Sequence, residues 1–305
     1  MTVTSALAAE KSVAITAIVE HQALDAVRDG VKAELKAAGF EAGKNLKLEY
    51  QSAQGNNGTA AQIARKFVGA RPDVIVAIAT PSAQAVVAAS KDIPVVYSAV
   101  TDPVAAKLVK TWGASGTNVT GVSDLSPLDK HLELIKRVVP NAKRVGVIYS
   151  PGEANSVAIV DALKKAVPAA GLALVESAAA RTVDVASAAQ SLADKVDVIY
   201  APTDNNVMSA FEGIVKVAQQ AKIPVVAADT DAVKRGAVAA LGLNYYDIGQ
   251  QTGKIVVRIL QGQAPGAIAS QTSNTFELHV NPGAALKQGV TLPEQLVKSA
   301  KVVVK

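Results

Sequence analysis

Apolar positions along this chain fall into short continuous runs separated by helical stripes, and the same order occurs twice. Val13-Ala-Ile-Thr-Ala-Ile-Val19 is a near-continuous apolar run, the pattern of a strand buried on both faces. Leu24, Val27, Val31, Leu35 and Ala38 then recur at helical spacing, and Gly39 supplies a stop. Leu46–Tyr50 alternates as an outer strand, and Thr59 is placed to cap a helix running to Phe67. A strand Val74–Ala79, a helix Ser82–Ser90 and a strand Pro94–Ser98 follow. Thr101-Asp-Pro103 opens a short helical segment, and a turn-rich stretch, 113–121, and a helix, Leu128–Val139, come next. The pattern then restarts at Arg144–Tyr149, with a stripe of Val160, Leu163, Val167 and Ala170, an outer strand Leu172–Val175 and a helix Val183–Asp194. A strand Ala237–Leu241, a long helix Ile248–Leu260 capped by Asp247, a strand Thr275–Val280 and a helix Pro293–Ser299 complete the chain.

The centre of each half carries a recognisable repeat. Pro72-Asp-Val-Ile-Val-Ala-Ile-Ala-Thr-Pro-Ser82 is followed by Ile93-Pro-Val-Val96, and Val196-Asp-Val-Ile-Tyr-Ala-Pro-Thr-Asp-Asn-Asn206 by Ile223-Pro-Val-Val226. Aligning Asp73 with Asp197 sets Thr80 against Asp204 and Ser82 against Asn206. Alternating strands and helices in two matching halves predict an α/β protein of two doubly wound, parallel-sheet (Rossmann-like) lobes. Crossings near 119–123, 242–246 and 262–275 make a multi-strand hinge that allows opening and closing. The expected division is 10–121 with 246–265 as the first lobe and 122–245 with 266–305 as the second.

With 305 residues, 50% apolar and 19% charged, the chain is long enough for two ordinary cores. It has no cysteine, which excludes thiol chemistry, disulfides and thiolate metal sites. The net charge of +5 is spread without basic runs, so no nucleic-acid partner is expected. No segment reaches the roughly 18 apolar residues of a membrane span. Thr4-Ser-Ala-Leu-Ala-Ala9 has the spacing of a signal-peptide cleavage site, so residues 1–9 read as a residual signal or a tail.

Ligands of open parallel sheets sit beyond the carboxyl ends of strands, and the candidate residues come from there. Thr80-Pro-Ser-Ala-Gln84 would open a helix whose N–H groups, with the hydroxyls of Thr80 and Ser82 and the backbone at Ala83, suit a carboxylate or phosphate. Opposite it, Thr203, Asp204 and Asn205 form a polar turn. Asp204 reads either as the partner of an ammonium or as an ordinary N-cap. Asp229-Thr-Asp231 and Thr101-Asp102 are acidic turns at neighbouring strand ends, with Asp231 a second candidate for the cation. Glu20 and His21 end the first strand, and Tyr149 and the turn containing Asn155 stand at the matching place in the second half. Ser123, Asn244 and Tyr245 lie at the crossings. His21, His131 and His279 have no ligand partner at i+4, so no metal is expected. Glycine-rich nucleotide cradles and a Gly-x-Ser-x-Gly elbow are missing, so no cofactor and no hydrolase chemistry are expected.

Several of these stretches together carry a resemblance. Ala14–His21 with Leu24-Asp25, Ala79–Gln84, Tyr97–Pro103, Asn118–Asp124, Pro202–Asn205 and Gly242–Gly249 are similar to substrate-binding proteins of bacterial ABC importers with the type I periplasmic fold. The similarity is to the family whose characterised members bind aromatic amino acids such as tryptophan and phenylalanine. It implies a non-enzymatic, exported, monomeric protein. Such a protein would trap a small ligand between its lobes and deliver it to a membrane permease driven by an ATPase. The alternatives are another solute, such as a sugar or a different amino acid, or an enzyme on the same scaffold. Cofactor-independent racemases of that architecture use paired cysteines, which this chain lacks. A transcription regulator of this fold would need a helix-turn-helix before the first strand, where only about a dozen residues stand. A zwitterionic ligand calls for an anion site and a cation site close together. The uncharged donors at Thr80 and Ser82 and the acids at Asp204 and Asp231 suit that division.

Overall fold

The computed structural model of the protein describes residues 10–273 and 275–304, so the Thr4–Ala9 segment lies outside the described residues. The first lobe comprises β1 (Lys11–Ala17), α1 (Gln22–Ala37), β2 (Leu46–Ser52), α2 (Asn57–Ala70), β3 (Val74–Ile78), α3 (Thr80–Ala89), β4 (Val95–Ser98) and β5 (Val119–Ser123). The second comprises α4 (Leu128–Val138), β6 (Arg144–Tyr149), α5 (Ala154–Ala169), β7 (Ala173–Ala178), α6 (Val185–Leu192), β8 (Val198–Ala201), α7 (Asn205–Ser209), α8 (Phe211–Ala221), β9 (Val225–Ala227) and β10 (Ala239–Leu243). The chain returns to the first lobe with α9 (Tyr245–Leu260) and β11 (Gln271–Thr272). It finishes on the second with β12 (Phe276–Val280), α10 (Pro282–Lys287), α11 (Glu294–Ser299) and β13 (Val302–Val303). Among the described residues no helix is long and apolar enough to cross a membrane.

The first sheet is wholly parallel, in the order β11-β5-β4-β3-β1-β2. The second has the order β13-β12-β10-β9-β8-β6-β7, parallel except where β12 runs against β10. Within both, the first five strands follow the 2-1-3-4-5 arrangement of a doubly wound fold. Strand order therefore reverses between β1 and β3 in one lobe and between β6 and β8 in the other. Helices cover both faces, so the central strands are continuously apolar: every residue of β3 is fully buried.

The aligned aspartates of the repeat do the same work in both halves. Asp73 accepts the N–H and hydroxyl of Ser12, each at 2.7 Å, at the start of β1. Asp197 accepts the N–H groups of Lys143 and Arg144, each at 2.8 Å, at the start of β6. Each carboxylate thereby fixes the register of the two strands that flank the reversal point.

The return helix α9 is seated on α1 by close backbone approach. A Cβ at Gly249 would lie 2.2 Å from the Val27 carbonyl oxygen, and one at Gly30 would lie 2.3 Å from that of Tyr246. Ile248, Ile255 and Val256 of α9 complete the first lobe's core.

Some expected boundaries move. The division after residue 121 falls inside β5, which pairs with β4 along its length, and β11 also joins the first sheet although 266–305 was expected in the second lobe. Counted by sheet, the chain crosses at 124–127, at Asn244 and between β11 and β12. The cap of α9 is Asn244, whose side chain accepts the N–H groups of Tyr246 and Asp247, rather than Asp247. Asn56, three residues before Thr59, caps α2. Thr101-Asp-Pro103 forms a turn, because Asp102 accepts the N–H groups of Val104 and Ala105 at 2.9 Å.

Candidate ligand-binding site

The carboxyl ends of the two sheets face each other, and a small cavity lies between them. His21 follows β1 and Thr80 follows β3, so both flank the first lobe's reversal point. Asn155 follows β6, and Thr203, Asp204 and Asn205 follow β8, flanking the second. Thr101, Asp124 and Tyr245 line the cavity from the strand ends and crossings, together with Asp229 after β9.

The backbone is strained where it meets this cavity. Ala79, between β3 and α3, has φ 71° and ψ 155°, a region that is almost exclusively glycine's and costs on the order of 1–3 kcal/mol. Ala99, after β4, has φ 52°. Both line the cavity. The turn at Ala79 starts α3 at Thr80. Its first turn closes with the Ala83 N–H on the Ala79 carbonyl at 3.0 Å, so the positive end of the helix begins beside the cavity.

Buried polar atoms that make no hydrogen bond gather here. They include His21 Nδ1, Thr80 Oγ1, Asn155 Oδ1 and Thr203 Oγ1, all on cavity-lining residues, and Ser82 Oγ in the same turn as Thr80. Such atoms are normally satisfied, so their concentration at one place marks a site made for a polar molecule. The Asn155 amide is oriented by its neighbours. Its Nδ2 donates to Glu153 Oε2 at 3.1 Å and to the Thr203 carbonyl at 3.2 Å, which leaves Oδ1 as an open acceptor. The His21 ring is held neutral, its pKa lowered to about 4 by burial and, secondarily, by the charge of Arg235.

Three aspartates line the cavity and differ in what they have left to offer. Asp204 is fully occupied: it accepts Ser150 N–H at 2.6 Å, Ser150 Oγ at 2.9 Å, Ser156 Oγ at 2.6 Å and Val207 N–H at 2.9 Å. It is the N-cap of α7 and the tie between the ends of β6 and β8. Among the described residues Asp124 accepts only Thr101 Oγ1 at 3.1 Å and Tyr245 OH at 2.9 Å. Asp229 accepts the Asp231 N–H at 2.9 Å. Among the described residues neither Asp124 nor Asp229 has a basic group within 4 Å. Burial raises the pKa of Asp124, and burial together with Asp231 raises that of Asp229 to about 7. Glu153, which holds Asn155 and Asn205, is likewise raised to about 7 by burial and by Asp204.

The structure thus brings His21, Thr80, Thr101, Asn155, Thr203, Asp204, Asn205 and Tyr245 together around one cavity. Other expected residues stand apart. Glu20 is exposed and accepts Tyr50 OH and Gln54 Nε2. Asp102 caps its turn, and Ser123 donates to the Thr101 carbonyl at 2.9 Å. Tyr149 packs at the edge of the second lobe's core, and Asn244 is exposed at its cap. Ser82 and Ala83 are buried within α3. Asp231 is half-buried and lends Asp229 its N–H, so the acid at the cavity is Asp229, two residues earlier. Asp124, Leu24, Ala79, Ala99 and Met208 are lining residues that sequence reasoning left out. Asp229 was within reach, since it directly follows the apolar run of β9; the positive φ at Ala79 and Ala99 has no sequence signal.

Two doubly wound lobes with a cavity of unpartnered polar groups at their facing reversal points define a two-lobed solute-binding protein. The chain belongs to the family described as ABC transporter substrate binding protein, which it matches over residues 12–304. Members of this family bind solutes for transport outside the cytoplasmic membrane. A "Tyrosine-binding protein" of Clostridioides difficile is 40% identical over 272 residues, 89% of this chain and 79% of that protein. A Streptococcus pneumoniae "ABC domain in complex with L-Trp" superposes with a TM-score of 0.93 at 33% identity, over 97% of this chain and 100% of that one. A ligand-free, open substrate-binding protein from Clostridium difficile is 42% identical, over 97% of this chain and 99% of that one, yet superposes at only 0.72. Despite its lower identity, the complex superposes better on this chain than the ligand-free, open structure does.

Proposed function

We propose that this protein captures a free aromatic α-amino acid between its lobes, closes on it and passes it unchanged to an ABC permease and its ATPase. Export from the cytoplasm and action as a monomer belong to the same reading. The supporting observation is the set of unpartnered polar groups around one cavity, divided by charge. On the first lobe, Thr80 and the N-terminal end of α3 are donors suited to a carboxylate. Asp229 and Asn155 Oδ1 on the second lobe, with Asp124 at the crossing after β5, are acceptors suited to an ammonium. Asp204 has no acceptor capacity left, so the cation site moves from Asp204 and Asp231 to Asp124 and Asp229. The tyrosine and tryptophan named for the relatives fit a ligand with one carboxylate, one ammonium and an aromatic side chain.

The test is calorimetric titration of protein stripped of ligand by unfolding and refolding, with L-tryptophan, L-tyrosine, L-phenylalanine and a panel of sugars. At least one aromatic amino acid should bind, and mass spectrometry should recover it unaltered. Binding of a sugar and of no amino acid would overturn the assignment.

A further inference from the structure

We propose that an apolar annex beside the polar cavity receives the ligand's aromatic side chain, and that Ala158 and Ala162 set the size of ring it admits. This inference rests on the amino-acid reading above. The annex has a volume of about 130 Å³ and shares Thr101 and Thr203 with the cavity. Thr101 comes from the first lobe and Thr203 from the second, so a residue of each lobe borders both spaces. The two spaces differ in chemistry. Ten of the fourteen residues around the cavity are polar or carry a polar group, which suits the charged end of an amino acid and not an indole or phenyl ring. The annex is lined by Leu125, Leu128, Ile159 and three alanines, with Asp102 and Ser126 besides the two shared threonines. Tyr200 adds ring carbon, because its hydroxyl is already engaged by His131 Nδ1 at 2.7 Å. An aromatic amino acid is itself divided into a charged end and an apolar end, and the paired spaces reproduce that division.

Ala158 and Ala162 are spaced i, i+4 on α5, so they present one face of the helix to the annex. The space exists because these side chains are small. Leucine at either position would narrow it, and a large ring would lose its place before a small one. Leu125, 45% exposed, forms the outer wall and can be shortened without disturbing the core.

The experiment titrates L-tryptophan and L-phenylalanine into the parent and into Ala162→Leu, Leu125→Ala and Met208→Ala, with a thermal melt of each. Met208 lines the cavity and not the annex. Ala162→Leu should weaken tryptophan at least about tenfold and phenylalanine less, as overpacking a filled pocket does. Leu125→Ala, whose fold is secure, should weaken both more than Met208→Ala does. Tryptophan affinity within threefold of the parent in both Ala162→Leu and Leu125→Ala, with a large loss in Met208→Ala, would place the ring in the cavity and overturn the annex alone. A parent that binds no aromatic amino acid overturns the underlying reading, and the annex with it.

Discussion

Replacing Asp124 with asparagine removes one charge and almost no volume. In the parent, one carboxylate oxygen accepts Thr101 Oγ1 at 3.1 Å and the other accepts Tyr245 OH at 2.9 Å. An ionised carboxylate has about four lone-pair sites, so roughly two remain for a ligand. Asparagine keeps one acceptor oxygen, turns an NH₂ group toward one of the hydroxyls and offers an ammonium no charge. Truncating one partner of a buried charge pair costs ~2–5 kcal/mol, and each tenfold in affinity is about 1.4 kcal/mol. Asp124→Asn should therefore weaken L-tryptophan binding by roughly 30-fold to several thousand-fold. Stability of the ligand-free protein should not follow. Burial already disfavours the ionised carboxyl, so removing the charge also removes a desolvation cost. The assay is calorimetry at about pH 8, above the value near which Asp229 ionises, with thermal melts of both ligand-free proteins. An affinity within threefold of the parent, at an unchanged melting temperature, would refute the ammonium site at Asp124.

Asp204→Ala should act first on stability: it strands the N–H groups of Ser150 and Val207 and the hydroxyl of Ser156, and at ~1–3 kcal/mol for each buried donor left without an acceptor the loss should reach ~3 kcal/mol or more. Urea unfolding of the ligand-free variant measures it, and a change below about 1 kcal/mol would show that Asp204 is not a strut. The raised pKa of Asp229 makes its contribution to ligand-free stability full below its ordinary value of 3.8 and lost as pH rises through about 7. The neutral His21 and His131, held near 4, act in the opposite sense: their contribution is full above 6.5 and lost as pH falls toward 4. The parent is therefore compared with Asp229→Asn between about pH 6 and 8. It should lose stability relative to the variant as pH rises, and a pH-independent difference would contradict a buried, raised carboxyl there.

The strand-end rule found the cavity because the cavity is a consequence of topology. Once the two halves are seen to repeat, His21 and Thr80 in one, and Asn155 and Thr203 in the other, must lie at facing reversal points whatever their side chains do. The choice among aspartates is different in kind. Asp204, Asp229 and Asp231 all stand in turns after apolar strands, and a sequence places each near the ligand with equal force. What separates them is how many donors the folded chain sends to each. Asp204 receives donors from β6's end, from α5 and from its own helix, elements 48 to 54 residues away except the last. Those contacts form only when the lobe is folded, so no local pattern reveals that the carboxylate is used up. Asp124 directly follows the expected crossing strand 119–123 and was not singled out, yet its two hydroxyl partners, Thr101 and Tyr245, come from 23 and 121 residues away and still leave it under-satisfied. A buried acid with spare acceptors and no cation within 4 Å is costly to the ligand-free protein, and the same cost favours any ammonium that enters. The residues that local sequence identifies least well here are thus the ones whose unfavourable burial makes binding favourable.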